Sequence, residues 1–293
     1  MMRFLTQMSK PSKFGLAVLA LVVLIGVFQI TLGGSRFHEN DRPQVLAGEK
    51  ILLDKTHQFN IERLDRELAV NKMNEDQMLM IWKRLPLFKP MIDKKLKEAG
   101  LPSDVFYLVL AESALRETAV SSAGAAGLWQ FMPSTAKAYN LRVDDAIDER
   151  YHAEKATDAA IQYLKKSYEK FGNWTLAMAA YNRGSSGISS DMAYQFQNNF
   201  YDLYLNNETS RYIFRIIAFK EIFENLGTYF DVTKWGKQYS VPETTEVQVG
   251  KTDNLAAWAA SKGYTYLEVR TLNPRIRKNS LPEGWWTLKV YKR

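Results

Sequence analysis

The chain has 293 residues, of which 46% are hydrophobic and 24% are charged, and its formal net charge at pH 7 is +7. This length predicts one main domain and a smaller one. A basic balance favours a polyanionic partner, but the sequence lacks the zinc-ligand spacings, RNP-like strands and base-reading helices of nucleic-acid-binding proteins. Cysteine is absent, which excludes a disulfide framework and a lipid-modified N-terminal cysteine.

An uncharged stretch from Phe14 to Leu32 follows three basic residues, Arg3, Lys10 and Lys13. As a helix, these nineteen residues would extend about 28 Å, which is close to the hydrocarbon thickness of a bilayer. Positive charge before the stretch predicts a cytoplasmic N-terminus and an exported body. We therefore expect residues 1–35 to be a cytoplasmic stub and a transmembrane anchor, with a cleavable signal peptide as the alternative.

Residues 36–85 are predicted to form a charged helical stem, whose amphipathic helices either pack on the next domain or stand apart from it. The segment Leu85–Pro90 contains two prolines and is expected to interrupt the helical pattern. A separate short helix is then predicted from Met91 to Ala99, and Gly100 should end it.

Glu112 lies at the end of a predicted helix that begins near Pro102 and Ser103. Its spacing from three apolar residues places all four on one face: Val105, Leu108 and Leu115. A carboxylate on such a face is costly to ionise, so its pKa should rise, as a general acid at neutral pH requires. Helix geometry by itself favours the alternative, a structural glutamate at the helix end that is paired with Arg116 or capped by backbone donors.

The segment after Glu112 is predicted to be a loop, because Ser121–Gly127 consists of small residues. Helices are then expected near 134–140, 153–171, 174–181 and 208–226. An acidic cluster precedes the second of these, and we interpret it as solvated capping rather than metal binding: Asp144, Asp145, Asp148 and Glu149. Sustained strand alternation does not occur before residue 240, so this body should be nearly all helix.

Residues 240–293 have a different pattern, in which an extended segment precedes helices at 253–262 and 267–272 and a final alternating strand at Trp286–Tyr291. This β-α-α-β order resembles a LysM-type glycan-binding module. Lys251-Thr252-Asp253 stands where such modules usually have Gly-Asp-Thr. A small structural appendage is the alternative interpretation.

A set of ordered motifs resembles the soluble lytic transglycosylase domain, the catalytic unit of enzymes that cut peptidoglycan glycan strands. The family pattern is Glu-Ser, a spaced Ser, Gly-Ala-x-Gly-Leu-x-Gln-x-Met-Pro, Ala-Tyr-Asn-x-Gly and Glu-Thr-x-x-Tyr. The residues that match are Glu112-Ser113, Ser121, Gly124-Ala125, Gly127-Leu128, Gln130, Met132-Pro133, Ala180-Tyr181-Asn182 with Gly184, and Glu208-Thr209 with Tyr212. Trp129 stands where many members have Met, and in this the sequence resembles the membrane-bound lytic transglycosylase D subgroup. Leu115-Arg116-Glu117 departs from the commoner Phe-x-Pro.

The resemblance implies a mainly α, lysozyme-like catalytic domain at 86–235, between the stem and a small α+β LysM-like module at 240–293. It also implies peptidoglycan as the partner, no metal or other cofactor, and no nucleic acid. The expected location is the bacterial inner membrane, crossed once, with the catalytic domain in the periplasm. The implied reaction cleaves the β-1,4 bond between N-acetylmuramic acid and N-acetylglucosamine and forms a 1,6-anhydro sugar. A goose-type lysozyme-like hydrolase and an inactive wall-binding scaffold are the alternatives.

In this reaction Glu112 is expected to act first as the acid and then as the base. The residues expected to bind substrate are Ser121, Gln130, Met132, Tyr181, Asn182 and Glu208. The hydroxyl of Tyr181 should face the reacting sugar or Glu112. Asn182 as a local backbone cap and Glu208 as a stabilising charge at a helix N-terminus remain alternative roles.

Overall fold

The computed structural model describes residues 42–293, so the expected stub and anchor at residues 1–35 lie outside the described residues. Among residues 42–293, no helix is both long and apolar enough to cross a bilayer. Residues 43–293 pack as one unit.

Helices dominate the described part of the chain, as the sequence predicts. A two-residue antiparallel pair, β1 (Val45–Leu46) and β2 (Glu49–Lys50), precedes them. The helices that follow are α1 (Gln58–Met73), α2 (Glu75–Ala99), α3 (Phe106–Ser113), α4 (Pro133–Ala138), α5 (Ala153–Phe171), α6 (Trp174–Arg183), α7 (Ser185–Gln195), α8 (Asn207–Glu224) and α9 (Leu226–Tyr229). Five single-turn 3-10 helices connect them, at Lys55–His57, Ser103–Val105, Glu149–Tyr151, Phe200–Asp202 and Val232–Trp235.

The predicted break at Leu85–Pro90 is wrong, because α2 runs without interruption through Pro86 and Pro90. Proline has no N–H group, so Pro86 leaves the carbonyl of Trp82 without its usual helical donor. The side-chain amide of Gln238 supplies a donor to that carbonyl at 2.9 Å, and the backbone N–H of Tyr239 binds the next carbonyl, that of Lys83, at 3.0 Å. A distant segment of the chain therefore satisfies the acceptor that Pro86 exposes and also binds the next carbonyl.

Helix α8 lies at the centre of the helical body and packs against α1, α3 and α6. The residues predicted to face the core are all almost fully buried: Ile213, Ile216, Ile217, Phe219 and Ile222. Because α1 contacts α8, the region predicted as a stem packs on the helical body. This arrangement brings the end of α3 next to the middle of α8.

The C-terminal segment has the predicted β-α-α-β order. Strands β3 (Thr244–Val249) and β4 (Trp286–Tyr291) pair antiparallel, and α10 (Leu255–Ser261) and α11 (Tyr266–Leu272) lie between them in sequence. Ile147, from the loop before α5, is fully buried in the same apolar cluster as Leu255, Val269 and Leu288. A backbone bridge joins Ile147 to Ile276, so the segment shares its core with the helical body.

Candidate active site

Glu112 is the penultimate residue of α3, where the helix ends abruptly. Ala114 and Leu115 both adopt positive φ, at 51° and 56°, which the right-handed helix cannot accommodate. The prediction that Leu115 continues the helical face of Val105 and Leu108 is therefore wrong, although all three are buried. The turn presents the Glu112 carboxyl at the helix end, where it keeps partial exposure to solvent.

Burial, one hydroxyl and two nearby charges determine the environment of the Glu112 carboxyl. Burial raises its pKa from 4.5 to about 7, as the sequence predicts. The hydroxyl of Tyr212, on α8, donates a hydrogen bond to Oε1 of Glu112 and opposes this rise, as does the positive charge of Arg215. The negative charge of Glu208 adds to the rise. Near neutral pH the group can therefore both donate and accept a proton.

The alternative of a Glu112–Arg116 ion pair is not what the structure holds. Arg116 is exposed, and its Nε donates to the backbone carbonyl of Ser113 at 3.4 Å. The hydrogen-bond partner of Glu112 is instead Tyr212, 100 residues later in the sequence.

The loop between α3 and α4 is folded tightly and contains two glycines with positive φ. Gly127 has φ of +83°, and a Cβ there would lie 1.8 Å from the backbone oxygen of Arg150. Gly124 has a similar φ of +86°, but a Cβ there would meet no atom within 4 Å. Only glycine fits the close approach at Gly127, so this position fixes the loop against the segment that leads into α5.

A buried ion pair between Arg150 and Asp148 holds the same loop in place. The guanidinium of Arg150 binds Asp148, and its Nη1 donates to the carbonyls of Gly124 and Phe131 at 2.8 and 3.0 Å. Glu149 is also buried and pairs with Lys155. The interpretation of this acidic cluster as solvated is therefore wrong for Asp148 and Glu149. Sequence spacing does not reveal this burial, because the carbonyls that Arg150 binds belong to a loop earlier in the chain.

Three of the predicted substrate-binding residues lie on this loop. The hydroxyl of Ser121 accepts a hydrogen bond from the backbone N–H of Ala125 at 3.0 Å. The amide nitrogen of Gln130 donates to the carbonyls of Ala119 and Gly127, at 3.2 and 2.8 Å. Met132 is 40% exposed, which is more than a core side chain would be. Ser121 and Gln130 thus hold the loop in shape, and Met132 is free to contact a ligand.

The other three lie on α6 and at the start of α8. The hydroxyl of Tyr181 donates to the backbone carbonyl of Trp129 at 2.8 Å, and the group lies close enough to Glu112 for the charge of Glu112 to raise the pKa of Tyr181. Asn182 accepts a hydrogen bond from the hydroxyl of Thr209 at 2.9 Å, which ties α6 to α8. Glu208 is exposed and accepts from Arg215 at 3.4 Å.

Sequence reasoning missed the role of Tyr212. This side chain is 1% exposed, and its hydroxyl is the direct partner of Glu112. The sequence does contain a signal for Tyr212, because this residue ends the Glu-Thr-x-x-Tyr motif. The predicted substrate-binding residue from that motif is Glu208 instead. Among residues 42–293, no group of three or more acidic or histidine side chains is arranged to hold a metal ion.

A second glutamate, Glu117, lies in a separate cleft beside the β-α-α-β segment. The cleft has a volume of about 850 Å³, and Trp285 and Lys289 contribute to its wall. Burial raises the pKa of Glu117 to about 7, and the charge of Lys289 opposes the rise. His152, in the same cleft, has its pKa lowered to about 4, mainly by burial.

Comparison with known proteins finds similarity for part of the helical body. The transglycosylase SLT domain family matches residues 89–203. Over 200 residues, the chain is 28% identical to the membrane-bound lytic murein transglycosylase D of Escherichia coli strain K12, an alignment that spans 64% of this chain and 42% of the relative. A putative tributyltin chloride resistance protein of Alteromonas is 30% identical over 95 residues, which are 32% of this chain and 46% of that protein. The chain thus spans less than half the length of these relatives.

Two solved structures are also similar in part. The 70 kDa soluble lytic transglycosylase SLT70 of Escherichia coli superposes with a TM-score of 0.42 at 19% identity, over 60% of this chain and 33% of that one. An inactive mutant of the lytic transglycosylase Slt of Pseudomonas aeruginosa gives a TM-score of 0.39 at 22% identity, over 52% and 26%.

Proposed function

We propose that this protein is a lytic transglycosylase that cleaves peptidoglycan. The match of residues 89–203 to the transglycosylase SLT domain family supports this proposal. The bond proposed is the β-1,4 linkage from N-acetylmuramic acid to N-acetylglucosamine, and the product is the 1,6-anhydro sugar. The observation that carries the proposal is Glu112: a half-buried carboxyl with a pKa of about 7, held at the edge of a small-residue loop.

In the first step, the protonated Glu112 gives its proton to the glycosidic oxygen as the bond to the anomeric carbon breaks. An acid with a pKa near the working pH is partly protonated there and is still a good donor. The hydroxyl of Tyr212 fixes the orientation of the carboxyl and stabilises the carboxylate that forms. The acetamido oxygen of the muramic residue stabilises the positive charge on the anomeric carbon.

In the second step, the Glu112 carboxylate accepts the proton of the muramic C6 hydroxyl. The C6 oxygen then bonds to the anomeric carbon, the 1,6-anhydro ring closes, and water is not consumed. An intramolecular hydroxyl benefits from a high effective concentration and therefore competes well with water. Most glycosidases use two carboxylates, and substrate-assisted families are the exception that this scheme follows.

The test is a digestion of purified sacculi with wild-type protein and with Glu112→Gln, followed by mass spectrometry of the released muropeptides. The expected products of the wild type end in anhydro sugars, each lighter by one water than the hydrolysis product. Glu112→Gln should release almost none. Products with an intact reducing end would indicate a hydrolase, and binding of sacculi without any release would indicate a wall-binding scaffold.

Glu117→Gln is the matched control for this experiment. It makes the same chemical change at a glutamate that is also half-buried and also has a pKa of about 7. Activity that survives Glu117→Gln but not Glu112→Gln assigns the loss to the position of the acid rather than to the removal of a buried carboxyl.

We also propose that the protein is anchored in the inner membrane by Phe14–Leu32, with the catalytic domain in the periplasm. The uncharged stretch and the membrane-bound relative support this location. Because the chain has no cysteine, a single one can be introduced at Tyr194, which is 85% exposed. A membrane-impermeant maleimide should label Tyr194→Cys in cells whose outer membrane alone has been opened. Labelling only after lysis would place the domain in the cytoplasm.

We propose that the chain is organised as a helical region at 36–85, a catalytic domain at 86–235 and a LysM-like glycan-binding module at 240–293. The β-α-α-β order and the antiparallel pairing of β3 with β4 support the module. The exposed Trp285 offers a ring on which a sugar can stack. In a Glu112→Gln background, Trp285→Ala should weaken binding to sacculi; unchanged binding would favour a structural appendage.

A further inference from the structure

Glu67, on α1, is a buried carboxylate placed between two arginines of α8. The side chain is 2% exposed, whereas those of Arg211 and Arg215 are 23% and 25% exposed. Nε of Arg211 lies 2.6 Å from Oε1 of Glu67, and Nε of Arg215 lies 3.4 Å from Oε2. Arg66, which is more exposed, approaches the same carboxylate at 3.6 Å.

The two arginines flank the tyrosine that binds Glu112. Arg211 precedes Tyr212 directly, and Arg215 follows it by three residues, so Arg215 shares a helical face with Tyr212. Arg215 also reaches back to Glu208 at 3.4 Å. A continuous set of charges therefore leads from Glu67 through Arg215 to the surroundings of the acid.

The contact of Glu67 with the two arginines joins two helices that lie outside the matched family region. Both α1 and α8 lie outside residues 89–203, the part that matches the SLT domain family. A buried charge pair contributes little to stability compared with apolar packing, so its presence between these helices calls for another reason. Position is such a reason, because each carboxylate oxygen of Glu67 binds a different arginine and so fixes the face that α8 turns toward α3.

We propose that Glu67 is a positioning residue for the reaction: it holds Arg211 and Arg215 on α8 and thereby fixes the hydroxyl of Tyr212 and the charge of Arg215 that face Glu112. Only the activity readouts of this proposal rest on the proposed function. Glu67 touches neither substrate nor the acid and acts through α8.

The groups that face Glu112 determine the expected signs. Tyr212 and Arg215 favour its ionised form, Glu208 favours its protonated form, and neutral Tyr181 lies close by on α6. In Glu67→Gln, Tyr212 and Arg215 should no longer be held toward Glu112, so the pKa of Glu112 should rise. Removing the charge of Arg215 should raise it.

The experiment measures the titration of Glu112 directly, by NMR of side-chain carboxyl carbons in ¹³C-glutamate-labelled protein, with Glu112→Gln to identify the signal. Glu67→Gln and Arg215→Gln should both move the titration to higher pH. Arg215→Lys keeps the charge and should leave it near the wild-type position. The exposed Arg66→Gln is the control and should not move it.

The same variants are then assayed on sacculi across pH. In Glu67→Gln, the ratio of kcat/KM at pH 8 to that at pH 5 should rise about three- to fivefold, as a shift of half to one pH unit produces. Arg215→Gln should change the ratio in the same direction. A structural role alone would lower activity equally at all pH values.

The proposal is overturned if folded Glu67→Gln leaves the Glu112 titration unmoved or moves it to lower pH, or if Arg215→Lys shifts it as far as Arg215→Gln. If Glu67→Gln does not fold, as circular dichroism would show, the two Arg215 variants still decide. Because the NMR titration needs no substrate, shifts of the expected sign without any turnover would reject the proposed function and retain this role for Glu67.

Discussion

Two glutamates only five residues apart, Glu112 and Glu117, lie in different parts of the molecule. Both are half-buried, and burial raises the pKa of each to about 7. Glu112 ends α3 and accepts a hydrogen bond from Tyr212, while Glu117 lies in the cleft beside the β-α-α-β segment, where it faces the charge of Lys289.

The difference teaches that a shifted pKa does not by itself identify a catalytic acid. Desolvation raises both values, and in both cases one positive charge opposes it. What distinguishes Glu112 is its position at the end of α3 and the hydroxyl of Tyr212 that orients its carboxyl. If this comparison is sound, substitutions at the two sites should have similar effects on stability and different effects on catalysis.

The largest effect should come from Glu112→Gln, because the amide cannot donate a proton to the leaving oxygen. We expect kcat on sacculi to fall about 10²- to 10⁴-fold, whereas Glu117→Gln should keep wild-type kcat. The measurement is the rate of soluble muropeptide release at pH 6, with both proteins shown to be folded by circular dichroism. An equal loss in the two variants would show that the comparison is wrong.

The second effect concerns the hydroxyl of Tyr212, which binds Glu112. Tyr212→Phe removes the donor to the ionised Glu112, and hydrogen bonds to charged groups contribute about 1.5–3 kcal/mol, or roughly 10- to 100-fold in rate. Its loss should also raise the pKa of Glu112 and move the alkaline limb of the kcat profile to higher pH.

Tyr181→Phe is the control for that variant. It removes a hydroxyl that donates to the carbonyl of Trp129 rather than to Glu112. It should lower thermal stability and leave the alkaline limb where it is in the wild type. A shift of the limb in Tyr181→Phe, with none in Tyr212→Phe, would exchange the roles of the two tyrosines.

The third effect is on stability, where the two glutamates should behave alike. Each has a folded-state pKa above its unfolded value, so its contribution favours folding below about pH 4.5 and is lost as pH rises to about 7. Replacing either by Gln should therefore raise the free energy of unfolding at pH 8, by about 1–3 kcal/mol, and change it little at pH 4. Urea denaturation at the two pH values measures this, and a gain at pH 4 equal to that at pH 8 would contradict it.

Sequence patterns predict well which face of a helix is buried. They predict poorly which residues of other elements that face contacts. Helical spacing identified the core face of α8 from Ile213 to Ile222, and it predicted the raised pKa of Glu112. Periodicity reports which side of a helix is buried but not which residue of another element meets it. The contact of Glu112 with Tyr212 spans 100 residues, and so it was not predicted.

The same limit explains two errors. Pro86 and Pro90 predict a helix break from local chemistry, but Gln238 and Tyr239 satisfy the carbonyls near Pro86 from a distant segment. The buried pair of Asp148 with Arg150 looks like an exposed acidic cluster because the loop that covers it comes earlier in the chain.

The smallest effect should come from Lys289→Met, which alters only the surroundings of Glu117. The ammonium of Lys289 lowers the pKa of Glu117 and binds Glu154 at 2.9 Å, so its removal should raise the pKa values of both. Both partners of the ion pair are more than 40% exposed, and its loss should change the free energy of unfolding by less than about 1 kcal/mol. Carboxyl NMR of ¹³C-glutamate-labelled protein should show the two shifts, with the Glu112 signal and the pH dependence of kcat unchanged. A displaced Glu112 titration in Lys289→Met would mean that the two sites are coupled electrostatically, and Glu117 would then belong to the environment of the acid.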